Sequence, residues 1–95
     1  MPDVGAGSRR PKRIYLPLAG FLADHPREVE SVDLTLEEIE GLLGEPLPRS
    51  SQFPFWWRND ESKTHARAWL IAGWEVVEMD KRAKRVRFER RRRPR

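Results

Sequence analysis

The helix stops and starts between Leu34 and Phe88 leave little room for anything but a small α+β domain. The run Leu34-Thr35-Leu36-Glu37-Glu38-Ile39 is a helix N-terminus. Thr35 can accept from the free amides of the first turn, and Glu38, three residues on, can reach back to the amide of Thr35. Leu34 and Ile39 hold the positions of a hydrophobic staple, and Gly44 supplies a stop, so a helix is expected over Leu36–Leu43. Pro46, Pro48 and Pro54 forbid a continuous helix through the next segment. A second apolar stripe, Ala66, Trp69 and Leu70, then predicts a helix over Thr64–Ala72, capped by Ser62 or Thr64 and ended by Gly73. Trp74–Met79 and Arg85–Glu89 alternate as strands around Asp80-Lys81-Arg82-Ala83-Lys84. Val77, Met79, Val86 and Phe88 are expected to face inward, with Glu78, Arg85 and Arg87 outward.

Upstream, Tyr15, Leu18 or Ala19, and Leu22 recur at helical spacing beside Phe21. Pro17 suits a first turn and His25-Pro26 ends the helix, which gives Leu16–Asp24. Ser31–Leu34 can form a short strand leading into the Thr35 cap. Three helices, this strand and a C-terminal β-hairpin follow the order of a winged helix-turn-helix domain, whose usual partner is DNA. The expected fold is therefore α+β and winged helix-turn-helix-like over residues 14–89. Residues 1–13 are expected to be a disordered basic arm, and 90–95 a disordered basic tail.

Charge sharpens this expectation. The net charge is +4 over 95 residues. Residues 81–95 hold ten basic residues against one acid, residues 1–13 four against one, and residues 14–80 only five against thirteen. The ends are basic and the centre acidic, as in chains whose tails meet a polyanion; a solvated tail is the bland alternative. With no cysteine there is no disulfide, thiol nucleophile or thiolate metal site, and two isolated histidines make no metal site. No apolar run approaches the roughly 20 residues of a membrane span, and the N-terminus lacks the apolar stretch of a signal peptide, so a cytoplasmic location is expected. No paired carboxylates stand out for acid–base work. His65 can pair with Asp60 or Glu61, but Ser62 and Thr64 are better explained as caps than as nucleophiles. No glycine-rich phosphate cradle is present. Catalysis and a cofactor are not expected.

The string Leu34-Thr35-x-x-Glu38-Ile39-Glu40-x-Leu42-Leu43-Gly44-x-x-Leu47-Pro48-x-Ser50 resembles a family of short bacterial proteins without an established function. So do Trp56-Trp57-x-Asn59-Asp60, Ala66-x-Ala68-Trp69-Leu70-x-Ala72-Gly73-Trp74-x-Val76 and Val86-Arg87-Phe88-Glu89-Arg90. The resemblance covers about two thirds of the chain. It implies a folded domain and no assigned chemistry. It breaks at Ser62-Lys63-Thr64-His65-Ala66, where the family tends to Ser-His-x-Gln-Ala. Lys63 stands in place of the usual His, and His65 in place of the usual Gln.

The candidate DNA contacts form three groups. At the head of the third helix lie Lys63, Thr64, His65 and Arg67, where a recognition helix meets base edges and Arg67 can fork onto guanine. In the preceding loop lie Arg49, Ser50, Gln52, Trp57, Arg58 and Asn59, whose polar groups suit phosphates or bases. Trp57 is the indole expected at the surface, where it can stack on a base, whereas Trp56, Trp69 and Trp74 are expected in the core. Asn59 and Asp60 also suit a turn or cap. At the hairpin lie Lys81, Arg82, Lys84, Arg85 and Arg87, able to neutralise phosphates without reading sequence. The expected function is a small double-stranded DNA-binding protein, of the kind that regulates transcription. RNA, single strands or a protein partner are the alternatives, and a homodimer is left open. Against DNA stands the acidic centre, whose Glu37, Glu38 and Glu40 keep the second helix off phosphates.

Overall fold

The computed structural model describes residues 12–91. Most of the expected basic arm and tail lies outside them. Within them, a 3₁₀ turn Arg13–Tyr15 leads into helix α1, Leu16–Ala23. Strand β1 is Ser31–Thr35, helix α2 Leu36–Leu43, and helix α3 Thr64–Ile71. Strands β2, Trp74–Asp80, and β3, Arg85–Arg90, complete an antiparallel sheet in the order β1-β3-β2. The domain is α+β, with three α-helices and a three-stranded sheet.

The α2 start forms as its residues dictate. The Thr35 hydroxyl accepts from the Glu38 amide at 3.0 Å, and the Glu38 carboxylate accepts from the Thr35 amide at 2.9 Å. Gly44 closes the helix at φ 74, in the left-handed region that glycine enters without a Cβ clash. Thr35 is also the last residue of β1, so the strand feeds the helix with no linker.

The core gathers Leu18 and Leu22 from α1, Leu34 and Leu36 at the β1–α2 junction, and Ile39 from α2. To these are added Trp57, Ala66 and Trp69 with Trp74, Val86 and Phe88 of the sheet. Trp57 stacks on Trp69 at 5.4 Å, and both meet the Phe88 ring edge-on. Each such large ring removes ~150–250 Å² from water, worth on the order of 4–6 kcal/mol before entropy opposes it. Trp74 is wholly buried, and its Nε1 has no hydrogen-bond partner among the described residues.

Several expectations are corrected here. Val77 does not face inward. A β-bulge shifts the register between Val76 and Glu78, so Val77 is the extra residue and is 45% exposed. Val76 and Met79 pack on the core instead. β3 runs through Arg90, which belongs to the sheet and not to a tail. Its guanidinium donates to the carbonyls of Pro26 and Val29 and lies 4.5 Å from the Trp74 ring. Neither Ser62 nor Thr64 caps α3: the N-cap is Lys63, without a side-chain bond. His25 is half-buried, with Nδ1 2.8 Å from the Phe21 carbonyl at the end of α1.

Candidate nucleic-acid interface

The connection between α2 and α3 folds into two consecutive 3₁₀ turns, Arg49–Gln52 and Pro54–Trp57. Three residues per turn and a proline at the second turn's start decide which rings go in. Ser51 is buried, with its hydroxyl donating to the Pro48 carbonyl, and its own carbonyl accepts from Trp57 Nε1 at 2.7 Å. That bond carries the Trp57 indole into the core, where it is 2% exposed. Trp57 is therefore removed from the contact residues. Trp56 is the half-buried indole, and the exposed rings are Phe53 and Phe55, at 40% and 57%.

Asn59 is not a turn or cap residue, and its side chain is not free to meet a ligand. Its Oδ1 accepts from Trp69 Nε1 at 2.9 Å and from the Val76 amide at 2.8 Å, while its Nδ2 donates to the Val76 carbonyl. It ties the loop to α3 and β2 at once. The turn is made by Asp60, whose Oδ1 accepts from both the amide and the hydroxyl of Ser62. Those two bonds hold the Asp60 carboxyl below its ordinary pKa, so it stays ionised.

At the head of α3, Lys63 and Thr64 are exposed. Arg67 is half-buried and its Nε donates to the Glu61 carbonyl, stapling the loop to the helix. His65 is not a free base-edge contact and does not hydrogen-bond Asp60 or Glu61. Its ring lies parallel to Trp56 at 3.8 Å, and its Nε2 is 2.7 Å from the Trp56 carbonyl. A carbonyl oxygen only accepts, so Nε2 carries the proton of the neutral ring. Ala66, Ala68 and Trp69 are all buried, which leaves α3 a narrow outer stripe of exposed Thr64 and Ile71 with half-buried Arg67 between them.

The hairpin and the loop meet. Lys81 lies 4.8 Å above the Phe53 ring, and Phe53 stacks on Phe55 at 5.8 Å and 13°. Phe55 in turn lines a pocket of about 380 Å³ with Trp56, Arg58, Asp60, Lys63 and His65. The hairpin cation Lys81 lies at one end of a row of two exposed rings, Phe53 and Phe55, and the loop cation Arg58 and helix-head cation Lys63 lie at the other. Lys84 shares a shallow recess with Gln52 and with Glu37 of α2. Lys84 adopts φ 52, and its carbonyl accepts from the Leu36 amide. Arg49, Arg82 and Arg85 are exposed; Ser50 is half-buried. Arg87 stands apart from this row: its guanidinium makes two bonds to the Asp33 carboxylate on the exposed face of the sheet, at 2.9 and 3.3 Å. That pairing lowers the Asp33 pKa and raises that of Arg87. Phe53 and Phe55, exposed here, are not among the contact residues expected from the sequence.

A family described as a domain of unknown function (DUF7662) matches residues 15–91. The chain belongs to this family. No curated protein and no solved structure matches it. The matched span covers the whole α3 head. No described helix is long and apolar enough to cross a membrane.

The burial of His65 has a measurable consequence. Burial, with a smaller push from Lys63, lowers its pKa below 6.5, against the raising effects of the Trp56 bond and Asp60. The unfolded chain then binds the proton more readily than the folded one. The His65 contribution to stability is flat above about pH 6.5, falls as pH drops below it, and levels off below the folded pKa. Gln at 65 can keep the donor to Trp56 without titrating. His65→Gln is expected to flatten this part of the Tm–pH curve, and identical curves for the two proteins would refute the assignment.

Proposed function

We propose that the domain binds double-stranded DNA as a winged helix-turn-helix module. The carrying observation is the connectivity: α1, β1, α2 and α3 precede a hairpin whose last strand inserts between β1 and β2. This order supports the winged-helix reading, and the hairpin carries Lys81, Arg82 and Lys84 in its turn and Arg85 at the start of β3, all exposed. In this reading those cations and Arg49 neutralise phosphates, Arg58 and Lys63 hold the backbone beside the groove, and Thr64, Gln52 and Arg67 face bases. The two helices of the motif are separated by residues 44–63, well beyond the usual three to four residues, and α1 packs on both α2 and α3. The narrow stripe on α3 supports an affinity that comes mainly from phosphates. The expected result is a duplex affinity that falls steeply with salt, with a log–log slope of about −4 to −6 for four to six neutralised phosphates. Anisotropy of labelled duplex, single-stranded DNA and RNA across a salt series measures it. Absence of duplex binding at low salt refutes the reading, and tighter binding of single strands replaces it with an RNA or single-strand function.

A further inference from the structure

We propose that the pocket beside α3 binds a nucleotide, its base stacked on Phe55 and its phosphate held by Arg58 and Lys63. Phe55 is the most exposed aromatic ring of the described chain, at 57%. It is nevertheless held in place, stacked on Phe53, which itself lies under Lys81. An exposed ring that is already positioned is a stacking platform, since every base offers a π-face and little ordering is lost on contact. Arg58 and Lys63 line the same pocket and are both exposed. The ion pair found among the described residues is Arg87 with Asp33, so neither cation of the pocket is committed to a carboxylate.

The remaining walls fit the same ligand. Asp60 turns one oxygen inward to Ser62, and its second can accept from a base's exocyclic amine. His65 spends Nε2–H on Trp56, which leaves its Nδ1 an acceptor. The pocket volume of about 380 Å³ lies within the roughly 300–1,000 Å³ of small-molecule sites. An aromatic platform with two cations and two acceptors matches a planar, amine-bearing ring joined to an anion.

Two sources present that chemistry: a free nucleotide, or an unpaired nucleotide in a strand. The second rests on the DNA reading above. With the full chain, anisotropy compares a matched duplex with the same duplex carrying one unpaired adenosine. Calorimetry titrates adenosine monophosphate separately. Stacking predicts about tenfold tighter binding of the bulged duplex. Phe55→Ala is expected to erase that gain, so that bulged and matched duplexes bind alike, whereas Phe55→Trp retains it. Binding of the monophosphate that Phe55→Ala abolishes, with no duplex bound, supports the pocket and overturns the DNA reading. Equal binding of both duplexes with no monophosphate bound overturns the pocket and leaves the DNA reading standing. A bulge preference that survives Phe55→Ala also overturns it. If nothing binds, both fall.

Discussion

Asn59→Ala lowers the melting temperature by about 10–20 °C, the expected result of cutting three hydrogen bonds with one truncation. The three are not equal. Trp69 is 1% exposed, and its Nε1 has Asn59 Oδ1 as its acceptor, so that donor is left buried and unsatisfied. An orphaned buried polar group costs about 1–3 kcal/mol. The amide and carbonyl of Val76 lie where water can reach them, and their loss adds less. A sum of about 2–3 kcal/mol is large beside the total stability of a small domain. Asn59→Asp keeps the acceptor for Trp69 and the Val76 amide but loses the donor to the Val76 carbonyl, so it is expected to melt between wild type and Asn59→Ala. Thermal denaturation followed by circular dichroism decides it, and an Asn59→Ala melt within a degree or two of wild type would show that the clamp carries no weight.

Removing the hairpin charges should abolish most duplex affinity while leaving the fold intact. The suitable triple variant is Lys81→Glu, Arg82→Glu and Lys84→Asn. Asn is chosen at 84 because the position has φ 52 and Asn tolerates that region better than Glu. All three side chains are exposed, so the melting temperature is expected to move by only a few degrees. Loss of three phosphate contacts flattens the salt slope by about 2 to 3 and weakens binding roughly a hundredfold at low salt. Arg87→Gln is the contrast, because that guanidinium is already matched by Asp33, and its effect on binding should stay within about twofold. Should the triple variant bind like wild type, the hairpin is not the phosphate contact and the winged-helix reading loses its support.

The parts legible in the sequence are those fixed by neighbours a few residues away. The Thr35–Glu38 box, the Gly44 and Gly73 stops and the breaks at Pro46 and Pro48 depend on local backbone groups, and they emerge where expected. The parts that were not legible depend on distant partners. Alternation alone runs straight through Val77, and the bulge exists only because β3 pairs with Val76 and Glu78 and skips the residue between. Trp57 leaves its expected surface place because a carbonyl on the preceding 3₁₀ turn draws its indole into the core, while Trp56 packs half-buried at the core's edge under His65. Asn59 beside Asp60 reads as two turn residues, yet only Asp60 turns the chain; the partners of Asn59, Trp69 and Val76, are ten and seventeen residues on. The same gap hid the candidate site. Phe53 and Phe55 are exposed and stacked on each other, with Lys81 over Phe53, a contact between loop and hairpin that no local pattern announces.

The position of β3 between β1 and β2 governs how the molecule is made as well as how it stands. During synthesis, residues 31–35 have no strand to pair with until residues 85–90 have emerged, and β2 waits for the same six residues. Helices α1, α2 and α3 can form early from local contacts, but the sheet closes in a single late event spanning most of the domain. Contacts so far apart in sequence slow folding, and until they form two unpaired strand edges face the cell. A nascent chain halted before Arg85 should thus be protease-sensitive and prone to aggregate, and one released after Arg90 should become resistant in one step.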